Sequence, residues 1–244
     1  MPSLKTLKVK LFADGADLAG IQEMAANPTI RGFTTNPTLM RKAGVADYKA
    51  FALQVLGVVK DRPVSFEVFD DDFVQMEMQA LEIASWGKNV TVKIPVTNTK
   101  GEFCGPLVER LSRSGVQLNV TAVMTVEQVK RVADRLAPDT PAIVSVFAGR
   151  IADTGRDPMP IMAEAVKLLK SKPRAELMWA SSRELLNVFQ ADAIGCHIIT
   201  ATSDILKKLS LAGKDLDRYS LETVEMFYED AKAAGYRIAT RAVA

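Results

Sequence analysis

The segment Asn89-Val90-Thr91-Val92-Lys93-Ile94-Pro95 decides how the rest of the chain is interpreted. Its apolar and polar residues alternate, so it predicts a β-strand with Lys93 on the polar face. Pro95 ends the strand because it has no amide hydrogen for the ladder. An ammonium group on an apolar strand is costly to desolvate, so Lys93 is either exposed to water at the strand end or functional. A sheltered lysine can attack a carbonyl carbon and form a Schiff base.

Seven further strands are predicted around this one, and helices separate them. The predicted strands cover residues 9–13, 31–35, 63–69, 89–95, 115–120, 141–147, 175–180 and 195–200. The predicted helices cover residues 17–26, 47–60, 103–113, 125–136, 158–170, 182–190, 203–209 and 220–234, and one more begins at Asp70-Asp71-Asp72. Such alternation favours a parallel sheet with right-handed crossovers.

Eight β/α units in 244 residues are the size of a (β/α)8 barrel. The sequence therefore predicts the α/β class, with a single (β/α)8 TIM barrel domain over residues 1–244 and an extra C-terminal helix at about 220–234. A doubly wound open sheet is the alternative. The chain has neither GxGxxG after its first strand nor GxxxxGK[ST] anywhere, so no nucleotide-binding motif supports that alternative.

Composition and charge are ordinary for a globular protein. Apolar residues make up 48% of the chain and the net charge is +2, which gives no electrostatic reason to expect nucleic acid or an anionic membrane as a partner. There is no run of about 18 apolar residues, and the first residues lack a signal-peptide core, so we expect a cytoplasmic protein. Cys104 and Cys196 are expected to be reduced thiols, and His197, the only histidine, is expected to be structural.

Polar side chains lie at the ends of most of the predicted strands. In a barrel of this type, the carboxyl ends of the strands form the active site. The candidates, in chain order, are Asp14, Thr34, Asn36, Glu67, Lys93, Asn119, Thr121, Ser145, Phe147 and Ser181. Because side chains alternate along a strand, Glu67, Lys93, Asn119, Thr121 and Ser145 are predicted to share the face that points into the barrel mouth.

These residue types predict a particular chemistry. A lysine near Asp14 and Glu67 is a nucleophile with candidate acid and base partners. Arg150 and Arg183 follow the sixth and seventh predicted strands, where they could hold a phosphate group, with surface ion pairing as the alternative. The set suits aldol chemistry on a phosphorylated ketose or aldose. The three aspartates at 70–72 are expected to cap a helix rather than to bind a metal.

Five segments resemble the transaldolase family and occur in the order that the family has. They are GFTTNPTL at 32–39, VKIP at 92–95, NVT at 119–121, SVFAGRIAD at 145–153 and ASSR at 180–183. The resemblance covers nearly the whole chain. It implies an enzyme of carbohydrate metabolism in the pentose phosphate pathway, which would transfer a dihydroxyacetone unit from a ketose phosphate to an aldose phosphate.

The resemblance also implies a role for each site residue. Lys93 would form the Schiff base, Asp14 would handle the proton of the C4 hydroxyl, and Glu67 and Thr121 would hold the water that relays protons at the imine. The implied substrate-binding residues are Asn36, Thr34, Asn119, Ser145, Phe147, Arg150, Ser181 and Arg183. Neither a metal nor a cofactor is implied, because the protonated imine is the electron sink.

Four points stay open here. Fructose-6-phosphate aldolases of similar length typically carry Gln and Tyr where this chain has Glu67 and Phe147, so the resemblance favours a transaldolase. Ser182 replaces an aromatic residue common in longer transaldolases, which leaves the acceptor open. A barrel that binds sugar phosphates without turnover is the alternative from another class. The compact subgroup forms rings of subunits, so a homo-oligomer is implied, and helix 220–234 would cover either a neighbour or its own barrel.

Overall fold

The structure, a computed structural model, describes residues 4–240 of the chain. Eight parallel strands close into a barrel in which each strand pairs with the next and the last pairs with the first. The strands are β1 (Lys10–Asp14), β2 (Ile30–Thr34), β3 (Val64–Glu67), β4 (Val90–Pro95), β5 (Leu118–Val123), β6 (Ala142–Val146), β7 (Ala175–Trp179) and β8 (Ile198–Thr202). The predicted TIM barrel is therefore confirmed.

Helices follow the strands around the outside of the barrel. They are α1 (Leu18–Ala25), α2 (Pro37–Lys42), α3 (Tyr48–Val58), α4 (Phe73–Ser85), α5 (Gly105–Arg113), α6 (Val126–Ala133), α7 (Ala148–Ala152), α8 (Met159–Leu169), α9 (Leu186–Ala193), α10 (Ser203–Lys207) and the extra C-terminal helix α11 (Leu216–Ala233). Short 3-10 turns cover Leu4–Thr6 and Lys208–Leu211. In residues 4–240, no helix is both long and apolar enough to span a bilayer.

Side-chain caps explain where several helices begin. Asp17 accepts from the amide of Gly20 at the start of α1, and Asp47 accepts from the amide of Ala50 at the start of α3. Thr125 and Gln128 form a reciprocal capping box at α6. Such caps satisfy amide groups that a helix leaves unpaired. These residues confirm the helix starts predicted at 17, 47 and 125.

The barrel interior is polar at both of its mouths, and an apolar cluster lies between them. Phe12, Ile143, Met178 and Ile198 form a small buried cluster separate from the larger core between sheet and helices. Gly32 makes room for this cluster, because a Cβ at position 32 would lie 2.4 Å from ring atoms of Phe12. This cluster, which also includes Ala180, separates the N-terminal mouth, lined by Lys10, Arg31 and Glu176 among others, from the polar site at the carboxyl ends of the strands.

Two strands begin three residues later than predicted. Gly115, with φ +82°, ends α5, and Gly195, with φ +75°, ends α9. In both turns the following residue donates its amide to the last turn of the helix. The residues assigned to the first half of each strand therefore belong to turns, and Gln117 and His197 precede β5 and β8 instead of lying in them.

Other predicted bounds also need correction. Helix α9 begins at Leu186 instead of 182, because the Asn187 side chain accepts from the amides of Arg183 and Glu184 and holds them in a loop. The C-terminal helix begins at Leu216 instead of 220, after the cap Asp215. The short helices α2 and α7 were not predicted. The single domain over 1–244 stays a prediction, since residues 1–3 and 241–244 lie outside the described part.

Candidate active site

Lys93 is buried in the barrel, with 6% of its surface exposed. Its Nζ lies 2.9 Å from Oε2 of Glu67 and donates to the carbonyl oxygen of Thr35 at 2.8 Å. The register of β3 and β4 places Glu67 and Lys93 directly opposite each other. The ion pair is thus a consequence of strand pairing, and it compensates a charge that would otherwise be costly to bury.

Asp14, the last residue of β1, is held by a chain of hydroxyl groups. Thr34 Oγ1 donates to Asp14 Oδ1 at 2.8 Å, and Thr34 Oγ1 also lies 2.6 Å from Thr200 Oγ1. Because Thr34 gives its one hydroxyl proton to the carboxylate, Thr200 is the donor in the second bond. Burial raises the pKa of Asp14, while the charge of Lys93 and the bond from Thr34 partly offset that increase. Carboxyl groups with raised pKa values are typical of proton-transfer sites.

A second chain of polar side chains crosses the barrel interior on β3, β4, β5 and β6. Ser145 donates to the side-chain oxygen of Asn119 at 2.6 Å, and Asn119 donates to Ser65 at 3.1 Å. Ser65 and Thr91 share a further bond of 2.6 Å. All four side chains are buried. The strand period predicted that Asn119 and Ser145 face inward, and the structure places them there.

Thr121 is buried, with 1% exposed, and its Oγ1 has no hydrogen-bond partner among residues 4–240. Burying a hydroxyl without a partner costs about 1–3 kcal/mol, so this group is available to a water or a substrate atom. The next residue, Ala122, has φ +61°, and the β5–β6 register shifts between Val120 and Val123. A non-glycine residue in this conformation is strained, and such strain clusters at functional sites.

A cavity of about 420 Å³ opens at the carboxyl ends of the strands. It brings together many of the residues predicted from the sequence, and these are Asp14, Asn36, Glu67, Phe147, Arg150, Ser181 and Arg183. Thr200 and Ser182, which were not predicted, also line it. Its lining does not include Lys93, Thr34, Asn119, Thr121 or Ser145, although Lys93 contacts the lining residue Glu67 and Thr34 donates to the lining residue Asp14. The hydroxyl of Thr34 therefore orients Asp14, and its predicted contact with substrate stays a prediction.

One glycine holds two rims of the cavity together. A Cβ at Gly149 would lie 1.5 Å from the carbonyl oxygen of Ser181, so only glycine allows this approach. The Gly149 amide donates to the carbonyl oxygen of Ala180 at 3.3 Å. Ser181 itself has φ +60°. This contact places Arg150 beside the loop that carries Ser181 and Arg183.

The two predicted phosphate-binding arginines differ in their surroundings. Arg183 forms two parallel bonds with Asp153, Nε to Oδ1 at 2.9 Å and Nη2 to Oδ2 at 2.6 Å, and both side chains are about half exposed. This arginine holds the pKa of Asp153 below its usual value. The guanidinium of Arg150 lies 5.9 Å from the ring centroid of Phe147. In the described chain it has no ion pair or hydrogen bond, so it is free to bind an anion.

Several residues at the site were not among those predicted from the sequence. Thr200 ends the predicted eighth strand, and this polar strand end was the signal that could have identified it. Ser182 donates from Oγ to the carbonyl oxygen of Thr200 at 2.9 Å. Asp153 lies in the SVFAGRIAD segment, but only the fold brings it to Arg183.

Other polar residues have structural partners. Asp72 caps α4, Asp70 accepts from the amides of Asp71 and Asp72, and Asp71 accepts from Thr99. The helix-cap prediction holds for Asp72, and the other two carboxylates brace the loop. His197 Nδ1 accepts from the amide of Leu177. Over residues 4–240 no three His, Cys, Asp or Glu side chains are grouped to hold a metal ion.

Comparison with known proteins adds an independent observation. The model of the family described as Transaldolase/Fructose-6-phosphate aldolase matches residues 11–243. A protein described as a probable transaldolase from Dehalococcoides mccartyi is 34% identical over 202 residues, which cover 82% of this chain and 90% of that protein. Another described in the same words, from Thermoanaerobacter sp., is 33% identical over 236 residues, covering 94% and 100%.

A solved structure shares the fold at low sequence identity. The KGPDC of Streptococcus mutans superposes with a TM-score of 0.55, covering 80% of this chain and 88% of that one, at 10% identity. At that identity the likeness bears on the fold alone.

Proposed function

The chain belongs to the transaldolase/fructose-6-phosphate aldolase family, and we propose that it acts as a transaldolase through a Schiff base on Lys93. The donor is a ketose phosphate such as fructose 6-phosphate or sedoheptulose 7-phosphate, and the acceptor is an aldose phosphate. The observation that carries the proposal is the burial of the Lys93 amine in the barrel with Glu67 in contact and Asp14 in the same site.

The first half of the reaction builds the imine. Lys93 transfers a proton to Glu67, which lies 2.9 Å away, and the free amine attacks the C2 carbonyl of the ketose. Glu67 then returns a proton through a water molecule, and the carbinolamine loses its hydroxyl as water. Thr121 supports this step because its buried hydroxyl is available to hold that water. Each such proton-transfer partner contributes on the order of 10²–10⁴ in rate.

The second half breaks and forms a carbon–carbon bond. Asp14 removes the proton of the C4 hydroxyl, the C3–C4 bond breaks, and its electron pair moves into the protonated imine. The aldose phosphate leaves with a C4 aldehyde, and a three-carbon enamine stays on Lys93. The enamine then adds to the aldehyde of a second aldose phosphate, with Asp14 returning the proton. Water releases the new ketose from Lys93. The mechanism needs no metal, because the protonated imine accepts the electrons.

The cavity also suits a phosphorylated sugar. Arg150 and Arg183 lie on either side of Ser181 in the cavity: the guanidinium group of Arg150 is free among the described residues, and that of Arg183 would exchange its partner Asp153 for the phosphate. Asn36 caps α2 with its side-chain oxygen, which leaves its amide hydrogens for a substrate hydroxyl. Asn119 and Ser145 lie deeper, near the position of the enamine, and Phe147 provides an apolar wall. Thr34 acts on the substrate through Asp14.

The alternative activity within the family is fructose-6-phosphate aldolase, which releases free dihydroxyacetone. A carboxylate at position 67, in contact with Lys93, favours the transferase. A barrel that binds sugar phosphates without turnover would not require a strained residue beside a Thr121 hydroxyl that has no hydrogen-bond partner in the described part of the chain.

Borohydride trapping tests the proposal. The protein is incubated with fructose 6-phosphate, reduced, digested and analysed by mass spectrometry, with Lys88→Met as the control for a lysine on the loop before the same strand. An adduct on Lys93 is expected in the wild type and in the control. The absence of an adduct on Lys93 after reduction would refute the proposal. Sedoheptulose 7-phosphate formed from fructose 6-phosphate and erythrose 4-phosphate identifies the transferase, whereas free dihydroxyacetone without acceptor identifies the aldolase.

We also propose a cytoplasmic homo-oligomer, in the form of a ring, that works in the pentose phosphate pathway. Helix α11 supports the assembly, because none of its described side chains is buried. Its exposed apolar residues include Leu221, Val224, Phe227 and Tyr228, and such a stripe is stable when another surface covers it. Light scattering should show an oligomer that Phe227→Asp dissociates and the control Glu225→Lys leaves intact. A monomeric parent protein would refute this assembly.

A further inference from the structure

The hydroxyl group of Tyr48 binds both the amide and the carbonyl group of Glu67. Tyr48 Oη accepts from the Glu67 amide at 2.7 Å and donates to the Glu67 carbonyl oxygen at 2.8 Å. Tyr48 is the first residue of α3, and Glu67 is the last residue of β3. One side chain outside the sheet thus satisfies both backbone groups of the residue that contacts Lys93.

The geometry of the sheet explains why such a partner is needed. The amide and carbonyl of one strand residue point to the same neighbouring strand. The pairing of β2 with β3 covers only Phe33 with Val64 and Thr34 with Ser65, and β2 ends at Thr34. On the other side, it is Val68 that donates to the Lys93 carbonyl. Glu67 therefore extends past the end of β2, and the Tyr48 hydroxyl takes the place of the missing strand.

Packing fixes the position of that hydroxyl. The Tyr48 ring lies in an aromatic cluster with Phe66, Phe69 and Trp86, at centroid distances of 6.4, 5.3 and 5.8 Å. Burial raises the pKa of Tyr48, so the phenol keeps its proton and remains both donor and acceptor. A rigid ring with a neutral hydroxyl provides a fixed anchor for the peptide.

We propose that Tyr48 is a positioning residue, whose hydroxyl fixes the peptide of Glu67 and thereby holds the Glu67 carboxylate beside the Lys93 amine. This inference rests on the proposed function, in which Glu67 moves protons for Lys93. Tyr48 does not line the cavity, and both hydrogen bonds of its hydroxyl in the described chain go to Glu67, so it acts on the reaction through Glu67.

The test measures how fast an adduct that borohydride can trap forms on Lys93. It compares the wild-type protein with the Tyr48→Phe variant. The variant is expected to form the adduct about tenfold more slowly, equivalent to about 1.4 kcal/mol of barrier. The fructose 6-phosphate concentration at half-maximal rate should change less than about twofold, since the groups that bind the sugar are untouched. Incorporation of 4-aminophenylalanine at position 48, whose amine can donate and accept, should restore most of the rate.

A double-mutant cycle shows whether Tyr48 acts through Glu67. In a Glu67→Ala background, Tyr48→Phe should change the trapping rate by less than about twofold, because the group that it positions is gone. The control Trp86→Phe keeps an aromatic ring beside Tyr48 and removes the hydrogen bond that Nε1 donates to Glu82 at the surface. This control is expected to lower the melting temperature and to leave the rate unchanged.

The outcomes separate the two ideas. A wild-type protein that is not trapped on Lys93 refutes the proposed function. A trapped wild type, with Tyr48→Phe equally fast, overturns the role of Tyr48. The role of Tyr48 is also overturned if Tyr48→Phe lowers the rate equally in the wild-type and Glu67→Ala backgrounds. If Tyr48→Phe does not fold, 4-methoxyphenylalanine at position 48, which accepts but cannot donate, replaces it in the comparison.

Discussion

The hydroxyl of Thr34 donates to the carboxylate of Asp14 at 2.8 Å across β1 and β2. The register pairs these two residues directly, so the contact is set by the sheet and not by a flexible loop. The bond favours the charged form of Asp14, while burial favours the neutral form. The balance between the two sets the pH at which Asp14 can act as a base.

Thr34→Val is expected to move the acid limb of activity to higher pH. Removal of the hydrogen bond leaves the carboxylate less favoured, so the pKa of Asp14, already raised by burial, increases further. The profile of kcat/KM against pH for fructose 6-phosphate measures this shift. Thr99→Val, which removes a hydroxyl donated to Asp71 away from the site, is the matched control. An acid limb at the wild-type pH in Thr34→Val would contradict the role given to Thr34.

Glu67→Ala should lower the stability of the protein as well as the rate of its reaction. The change leaves the Lys93 ammonium buried without its partner, which typically costs about 3–5 kcal/mol. In a Lys93→Met background the same change should cost much less, because no charge is left unpaired. Urea unfolding of the four proteins in the cycle measures the coupling. Equal costs in both backgrounds would show that the ion pair does not contribute to folding.

Thr121→Val should separate stability from activity. The Thr121 hydroxyl is buried with no hydrogen-bond partner among residues 4–240, so replacing it by a methyl group of similar size should stabilise the substrate-free fold, before the relay water binds, by about 1 kcal/mol. Formation of the Schiff base should slow at least about tenfold, because the relay water loses a ligand. Thermal unfolding and the trapping rate are measured on the same sample. A less stable variant with unchanged rate would reverse both expectations.

Gly149→Ala should damage the cavity through a single methyl group. The new Cβ would lie 1.5 Å from the carbonyl oxygen of Ser181, so the two loops must separate. We expect a loss of about 1–3 kcal/mol in stability and a higher KM for sugar phosphates. In the control Gly57→Ala, the Cβ would have nothing within 4 Å and should be neutral to stabilising. Unchanged unfolding and KM in Gly149→Ala would disprove the close contact.

Alternation along the strands accounts for what could be predicted from the sequence. Lys93, Asn119 and Ser145 point into the barrel because side chains on a strand alternate, and that period is a local property. The caps Asp17 and Thr125 could also be predicted, because a helix cap is another local feature: it contacts amides only two or three residues away. The closed parallel sheet follows from the repeated alternation of strands and helices.

Relations between distant segments could not be predicted. Tyr48 reaches Glu67 because β2 ends short of it, and no local pattern shows where a neighbouring strand ends. Asp153 meets Arg183 only through the close approach of two loops. The strand starts at β5 and β8 were placed too early because Gly115 and Gly195 sit beside β-branched or apolar residues that resemble strands. Helices as short as α7 have too few residues for a helical period.

Phe12 and its apolar neighbours close the barrel between its N-terminal mouth and the polar site at the carboxyl ends of the strands. Under the proposed mechanism, the first product must therefore leave, and the second substrate must enter, through the opening at the carboxyl ends of the strands. The first aldose phosphate has to leave the cavity before the second one can bind. Between these two events the three-carbon enamine stays covalently bound to Lys93. This order of release and binding predicts ping-pong kinetics, in which each aldose phosphate competes with the ketose phosphate for the same cavity.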